Sequence, residues 1–126
     1  GIDAVDIVRF RKAVEKRGQA FLERIFTVKE LDYANGRRAD AMHMAGKFAA
    51  KEAVKKALPD GAKIGLDWSQ IEILNGGDGK PYVLLHSNAK SLMEVQSITK
   101  IFVSISHTGD MAVSNAMVVK NGARTY

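Results

Sequence analysis

The sequence predicts an α+β domain in which N-terminal helices pack on antiparallel hairpins, and three observations carry that prediction. After one short strand-like opening, helical periodicity fills the first half, and the second half alternates with period two. Turn-forming Gly and Asp residues separate the strand-like runs, so helices are followed by antiparallel pairs rather than alternating with parallel strands. At 126 residues the chain can bury roughly two thirds of its unfolded surface without staples. We therefore expect a single domain over residues 1–126.

The elements follow in order. Gly1 to Val8 is rich in branched apolar residues and reads as a strand, with Asp3 and Asp6 set into it. From about Arg9 to Lys16 the pattern turns helical, with Phe10, Ala13 and Val14 on one side, and Gly18 is expected to end it. Thr27-Val28-Lys29-Glu30 is a capping-box sequence that starts a second helix, running to about Asn35-Gly36. Residues 40–58 are good helix formers stopped by Pro59. There Lys47, Lys51 and Lys55 recur every four residues as a cationic stripe, Ala45, Ala49 and Ala53 make a narrow stripe for close packing, and Glu52 can pair with Lys56. By spacing alone, Glu52 reads as exposed, salt-bridged surface. Asp67 to Leu74 and Pro81 to Leu85 flank a Gly76-Gly77-Asp78-Gly79 turn and form a hairpin; Ser87 to Glu94 reads as a short helix. A second hairpin joins Ile101–Ser106 to Met111–Val119 through His107-Thr108-Gly109-Asp110.

Composition removes several classes of function. The chain has no Cys, which excludes disulfides, a thiolate zinc site and a cysteine nucleophile. Its longest apolar runs span a few residues, far below the ~20 that cross a bilayer, so no membrane role is expected. No basic-then-apolar signal segment opens the chain, and the start at Gly1, without a methionine, leads us to expect trimmed or disordered residues there. The net charge of +5 is unevenly placed: residues 9–24 and residues 37–56 each carry six basic against two acidic side chains, so the remainder is net acidic. Such runs are ordinarily solvated helix faces, although clustering also prepares a surface for anionic partners. Nucleic acid is disfavoured, because aromatics make up 7% of the chain and none interleaves with the basic residues as a stacking platform.

Generic catalytic signatures mostly fail. The GGDG turn lacks the strand, helix and Lys-Ser/Thr of a phosphate loop. Ser104, Ser106 and His107 sit on a strand end without a nucleophile elbow. His43 has no partner at metal-ligand spacing and reads as helix surface, while Asp3 and Asp6 form a short-range carboxylate pair that carries little by itself.

Five segments, in order, nevertheless resemble one family. They are Gly1-Ile2-Asp3-Ala4-Val5-Asp6-Ile7; Phe26-Thr27 with Glu30-Leu31; Lys47-Phe48-Ala49-Ala50-Lys51-Glu52-Ala53 with Lys56-Ala57; Ile71-Glu72-Ile73 with Gly79-Lys80-Pro81-Tyr82-Val83; and Val103-Ser104-Ile105-Ser106-His107-Thr108. Together they are similar to holo-[acyl-carrier-protein] synthase, the short bacterial type of 4′-phosphopantetheinyl transferase. That resemblance implies transfer of the phosphopantetheine arm of coenzyme A to a serine of apo acyl carrier protein, releasing adenosine 3′,5′-bisphosphate, in support of fatty acid biosynthesis in the cytoplasm. Attack at a diphosphate calls for charge neutralisation rather than covalent catalysis, and hard Mg²⁺ takes few protein carboxylates plus phosphate oxygens and waters.

Residue by residue, the resemblance implies Asp3 and Glu52 as the Mg²⁺ carboxylates and Lys56 as the diphosphate contact. The serine proton passes to Glu52 or to a metal-ordered water. Lys47, Lys51, Gly79, Lys80, Pro81, Ser106 and His107 are implied at coenzyme A, some reaching a neighbouring subunit of a homotrimer. Lys47 stands where the family usually has Arg, which would bind phosphate bidentately. Arg9, Phe10, Phe21 and Arg24 match the surface that docks the acidic carrier protein. Two departures stand out: Leu58-Pro59-Asp60-Gly61 replaces the usual Phe-Gly-Thr-Gly near the nucleotide, and Ala112-Val113-Ser114-Asn115-Ala116 alters the last strand. The 58–61 loop favours a rival reading, a binding protein that keeps the fold without catalysis; the charge favours a second, a small nucleic-acid binder.

Overall fold

The computed structural model describes residues 1–35, 41–59 and 65–121. Strand β1 (Ile2–Asp6) leads into helix α1 (Ile7–Ile25), followed by α2 (Val28–Asn35) and α3 (Ala41–Ala57). A 3₁₀ turn, Trp68–Gln70, precedes β2 (Ile71–Asn75) and β3 (Pro81–Leu85); α4 (Ser87–Val95), β4 (Ile98–His107) and β5 (Met111–Lys120) follow. This is the α+β arrangement expected, with both hairpins in place.

Four boundaries differ from the sequence reading, each for a local reason. The first strand stops at Asp6 because its Oδ1 accepts the Arg9 amide at 3.0 Å and caps α1. Asp6 is thus a cap rather than half of a carboxylate pair. Gly18 kinks α1 instead of ending it: its φ of 71° is one glycine adopts freely, and Phe21, Leu22 and Ile25 resume the apolar face beyond it. The 3₁₀ turn replaces the start of the strand expected from Asp67, and β4 begins three residues earlier than expected. Gly36, at the expected end of the second helix, and Asp60-Gly61 of the divergent loop lie outside the described residues, as do Arg37, Arg38 and Asp40 of the second basic cluster.

The strands form two antiparallel sheets, one of order β1-β5-β4 and one of β2-β3. Helix α3 lies across the first sheet, its Ala45, Ala49 and Ala53 fully buried as the small-residue stripe required. Two glycines set the closeness of that approach. A Cβ on Gly1 would stand 2.1 Å from the Ala53 carbonyl oxygen, and one on Gly46 2.9 Å from Ile105 Cγ2. One core cluster joins α3 to β2, β3 and α4 through Val54, Ile71, Ile73, Leu85 and Leu92, and a second joins α1 to α3 through Ile7, Phe10, Ile25 and Met44. The far side of the three-stranded sheet has no helix on it among the described residues: Ile2, Val113, Val119, Phe102 (50% exposed) and Met117 (59%) face outward, with Phe102 and Met117 directly paired.

Candidate functional site

Strand alternation turns Asp3 toward α3, opposite the buried Ser114 of β5, while its neighbours Ile2 and Ala4 face away. On α3, Glu52 and Lys56 are one turn apart. Lys56 Nζ does not depend on Glu52 for its partner; it donates to Asp3 Oδ1 at 2.8 Å and to the Ile2 carbonyl at 3.1 Å. The hydrogen bond and charge of Asp3 hold the Lys56 ammonium above its ordinary range, with Glu52 adding a smaller push in the same direction. Glu52 Oε1 accepts the indole N–H of Trp68 at 2.6 Å. Asp3, Asp6, Arg9, Phe10, Phe48 and Glu52 line a cleft of about 430 Å³ between β1, α1 and α3. The resemblance-implied carboxylates therefore do share one cleft, with Lys56 beside them.

The donor set there suits Mg²⁺. Two hard carboxylates in one cleft are what this ion takes from protein when waters and substrate phosphates complete its shell. Among the described residues no group of three His, Cys, Asp or Glu could cage a metal, so any ion held here would draw on exogenous ligands.

A second cleft, of about 250 Å³, is lined by His43, Lys47, Asn75, Gly79, Pro81 and His107. His43 is exposed as expected of helix surface, yet its ring meets that of His107 edge to face, 5.8 Å between centroids. Lys47 reaches this cleft while its Nζ donates to the Ile73 carbonyl at 3.0 Å; burial pushes its ammonium below the ordinary lysine range. Lys80 and Ser106 are exposed on the neighbouring turn and strand. The residues implied at coenzyme A are thus not gathered in one place on one chain: Lys47, Gly79, Pro81 and His107 line this cleft, while Lys56 lies beside Asp3 at the first.

Two of the implied roles meet a different environment. Lys51 is not on a solvated stripe: it is fully buried, ion-paired to Glu30 Oε1 at 2.8 Å, and donates to the carbonyls of Trp68 (3.0 Å) and Ile71 (2.6 Å). All three ammonium protons are used, so it offers nothing to coenzyme A; α3 has turned the residue under the 3₁₀ turn and β2. Phe10 likewise is core rather than docking surface, 5% exposed and packed on Phe21, Phe26 and Phe48. Phe21 stays half-buried with Arg17 over its ring, and Arg9 and Arg24 are exposed on α1.

Sequence reasoning passed over a polar network behind the cleft. The capping box forms as read, Glu30 Oε1 accepting the Thr27 amide (2.8 Å) and Thr27 Oγ1 the Glu30 amide (3.3 Å). Glu30 also accepts the Ile73 amide at 2.8 Å, and Thr27 Oγ1 donates to Glu72, whose other oxygen meets His86 Nε2 at 3.0 Å. Burial alone would raise the Glu72 carboxyl, but these two hydrogen bonds, with the charges of His86 and Lys29, hold it below the ordinary range. Trp68, the only Trp in the chain, bore no spacing signal at all.

Comparison with known proteins gives one consistent answer. A holo-[acyl-carrier-protein] synthase of Geotalea daltonii is 43% identical over 120 residues, covering 95% of this chain and 96% of the relative. The structure of Helicobacter pylori holo-[acyl-carrier-protein] synthase in complex with coenzyme A superposes with a TM-score of 0.82 at 32% identity, over 94% of this chain and 98% of that one. An acyl carrier protein synthase of Plasmodium yoelii with ADP bound gives 0.85 at 31% identity, over 97% and 94%. With the ACPS family profile matching residues 1–112, the chain belongs to the 4′-phosphopantetheinyl transferase superfamily.

Proposed function

We propose that this chain transfers 4′-phosphopantetheine from coenzyme A to a serine hydroxyl of apo acyl carrier protein, giving the holo carrier protein and adenosine 3′,5′-bisphosphate. The observation that carries the reading is that Asp3 of β1 and Glu52 of α3 line one cleft, with Lys56 bonded to Asp3 and the exposed basic face of α1 beside it. Asp3 and Glu52 are the residues to hold Mg²⁺, which when bound neutralises diphosphate charge. Lys56 supplies a further cation, kept charged by Asp3, for the oxygens of the departing phosphate. The serine oxygen forms a bond to the β-phosphorus as the bond to the bridging oxygen breaks, and the serine proton leaves to Glu52 or to a water that Glu52 orders. A positioned base of this kind contributes ~10²–10⁴-fold.

A homotrimer with sites between subunits accounts for two further features. The second cleft, with Lys47, Gly79, Pro81 and His107, is separate from the carboxylates on one chain and would complete the coenzyme A site from a neighbour. The outward apolar face around Phe102 and Met117 would be covered by the same assembly. Arg9, Phe21 and Arg24 remain the candidates for receiving the acidic carrier protein, by steering as much as by contact. The product would serve fatty acid biosynthesis in the cytoplasm. Incubation with apo carrier protein, coenzyme A and Mg²⁺ followed by mass spectrometry is the direct test: a carrier heavier by one phosphopantetheine is expected. No mass gain across several carriers and metals would sink the enzyme reading and leave a coenzyme A-binding protein.

A further inference from the structure

We infer that Trp68 is a positioning residue for Glu52, an inference that rests on the reading of Glu52 as a metal carboxylate. An indole carries one donor and no acceptor, so its bond to Glu52 Oε1 at 2.6 Å has a single polarity and cannot be turned around. Among the described residues Glu52 Oε2 accepts no hydrogen bond, so the pair of oxygens is divided: one is committed to protein and one is not, on a side chain that lines the cleft. Partners of this kind fix the orientation of a ligating group and tune its donor strength.

Trp68 is itself held from both ends. Its carbonyl accepts Lys51 Nζ at 3.0 Å, and Lys51 is locked by Glu30. Its ring packs edge to face on Phe48, 5.4 Å between centroids, and Phe48 lines the same cleft. A chain of contacts therefore runs from the capping box of α2 through the buried lysine and the 3₁₀ turn to the carboxylate. This gives the buried Lys51 a purpose away from the cleft: it fixes the segment that fixes Glu52.

Trp68→Phe keeps the ring and removes the donor. We expect turnover at fixed Mg²⁺ and apparent Mg²⁺ affinity to fall by ~10–100-fold together, with the KM for carrier protein unchanged and a native circular-dichroism spectrum. In the wild type, emission from this single Trp should shift on Mg²⁺ addition, and Glu52→Gln should lose that shift. If Phe is not tolerated, 3-benzothienylalanine at the same position replaces N–H with sulfur in a ring of the same outline, and the same losses are expected. A folded variant with wild-type Mg²⁺ dependence, or wild-type emission unmoved by Mg²⁺, would overturn the positioning role. Wild-type turnover in Glu52→Gln would instead overturn the reading on which it rests.

Discussion

Lys51→Met separates a structural lysine from a substrate contact. The side chain is fully buried and satisfies Glu30 Oε1, the Trp68 carbonyl and the Ile71 carbonyl within 3.0 Å. Met fills much of the same volume but donates to none of them. Removing one partner from a buried ion pair costs about 3–5 kcal/mol, a large part of the ~5–15 kcal/mol that holds a domain of this kind together. With a urea dependence of about 2 kcal/mol per molar, that is a midpoint lowered by roughly 2 M. Glu30→Gln should cost a comparable amount, since it leaves the ammonium uncompensated. The double variant Lys51→Met/Glu30→Gln should be less destabilised than the two singles summed, by ~0.5–3 kcal/mol of coupling. It will not recover fully, because Glu30 also accepts the Thr27 and Ile73 amides. Urea titration by circular dichroism measures all four proteins, and coenzyme A affinity is measured on each at a urea-free temperature well below its melt. A Lys51→Met protein with a wild-type midpoint and weakened coenzyme A binding would refute the burial argument and return Lys51 to the ligand.

The remaining predictions concern other surfaces. Arg9→Glu should raise the KM for carrier protein roughly tenfold, about 1.4 kcal/mol, flatten its salt dependence, and leave the KM for coenzyme A alone; equal effects on both would remove α1 from docking. Met117→Glu, placed on the outward sheet face, should reduce the mass seen by light scattering from three times 13.8 kDa to one; an intact trimer would move the interface elsewhere, and a wild-type chain already monomeric would end the proposal of trimer. Glu72→Gln should cost roughly 1.5–3 kcal/mol at neutral pH by losing charge-assisted hydrogen bonds. Because the folded state holds the Glu72 carboxyl below 4.5, its contribution is complete above that value and disappears as pH falls through the lowered one. The gap between wild type and variant should close toward acid pH, and a constant gap in urea midpoints down to pH 3 would contradict that sign.

Most of the fold was legible because its signals are local. The capping box Thr27–Glu30, the alanine stripe of α3 and the turn residues of the two hairpins each act within a few residues of themselves. Asp6 and Gly18 were misread for the same reason: both are boundary signals, and tertiary context decides whether an Asp caps a helix or a Gly bends rather than ends one. The carboxylate site was legible only through resemblance, since Asp3 and Glu52 are brought together by pairing of β1 with β5 and packing of α3. Lys51 shows the limit of spacing arguments. Lysines every four residues look identical on a wet and a buried face, and what distinguishes this one is Glu30 and two carbonyls supplied from distant segments. Trp68 was invisible because its hydrogen bond to Glu52 depends on a 3₁₀ turn that carries no sequence motif.

The strand order β1-β5-β4 sets a timetable for the site. Asp3 is made long before Ser114 of β5, its neighbour across the sheet. During synthesis the carboxylate has no place to go until β5 arrives, and such long-range pairing is slow to form. A chain cut before Met111 keeps Asp3, Glu52 and Lys56 in sequence but loses the strand that seats Asp3, and metal titration of that fragment should find no cooperative site. Assembly of the site is thereby tied to pairing of β5 with β1, and a chain that has not yet made β5 should not act on coenzyme A.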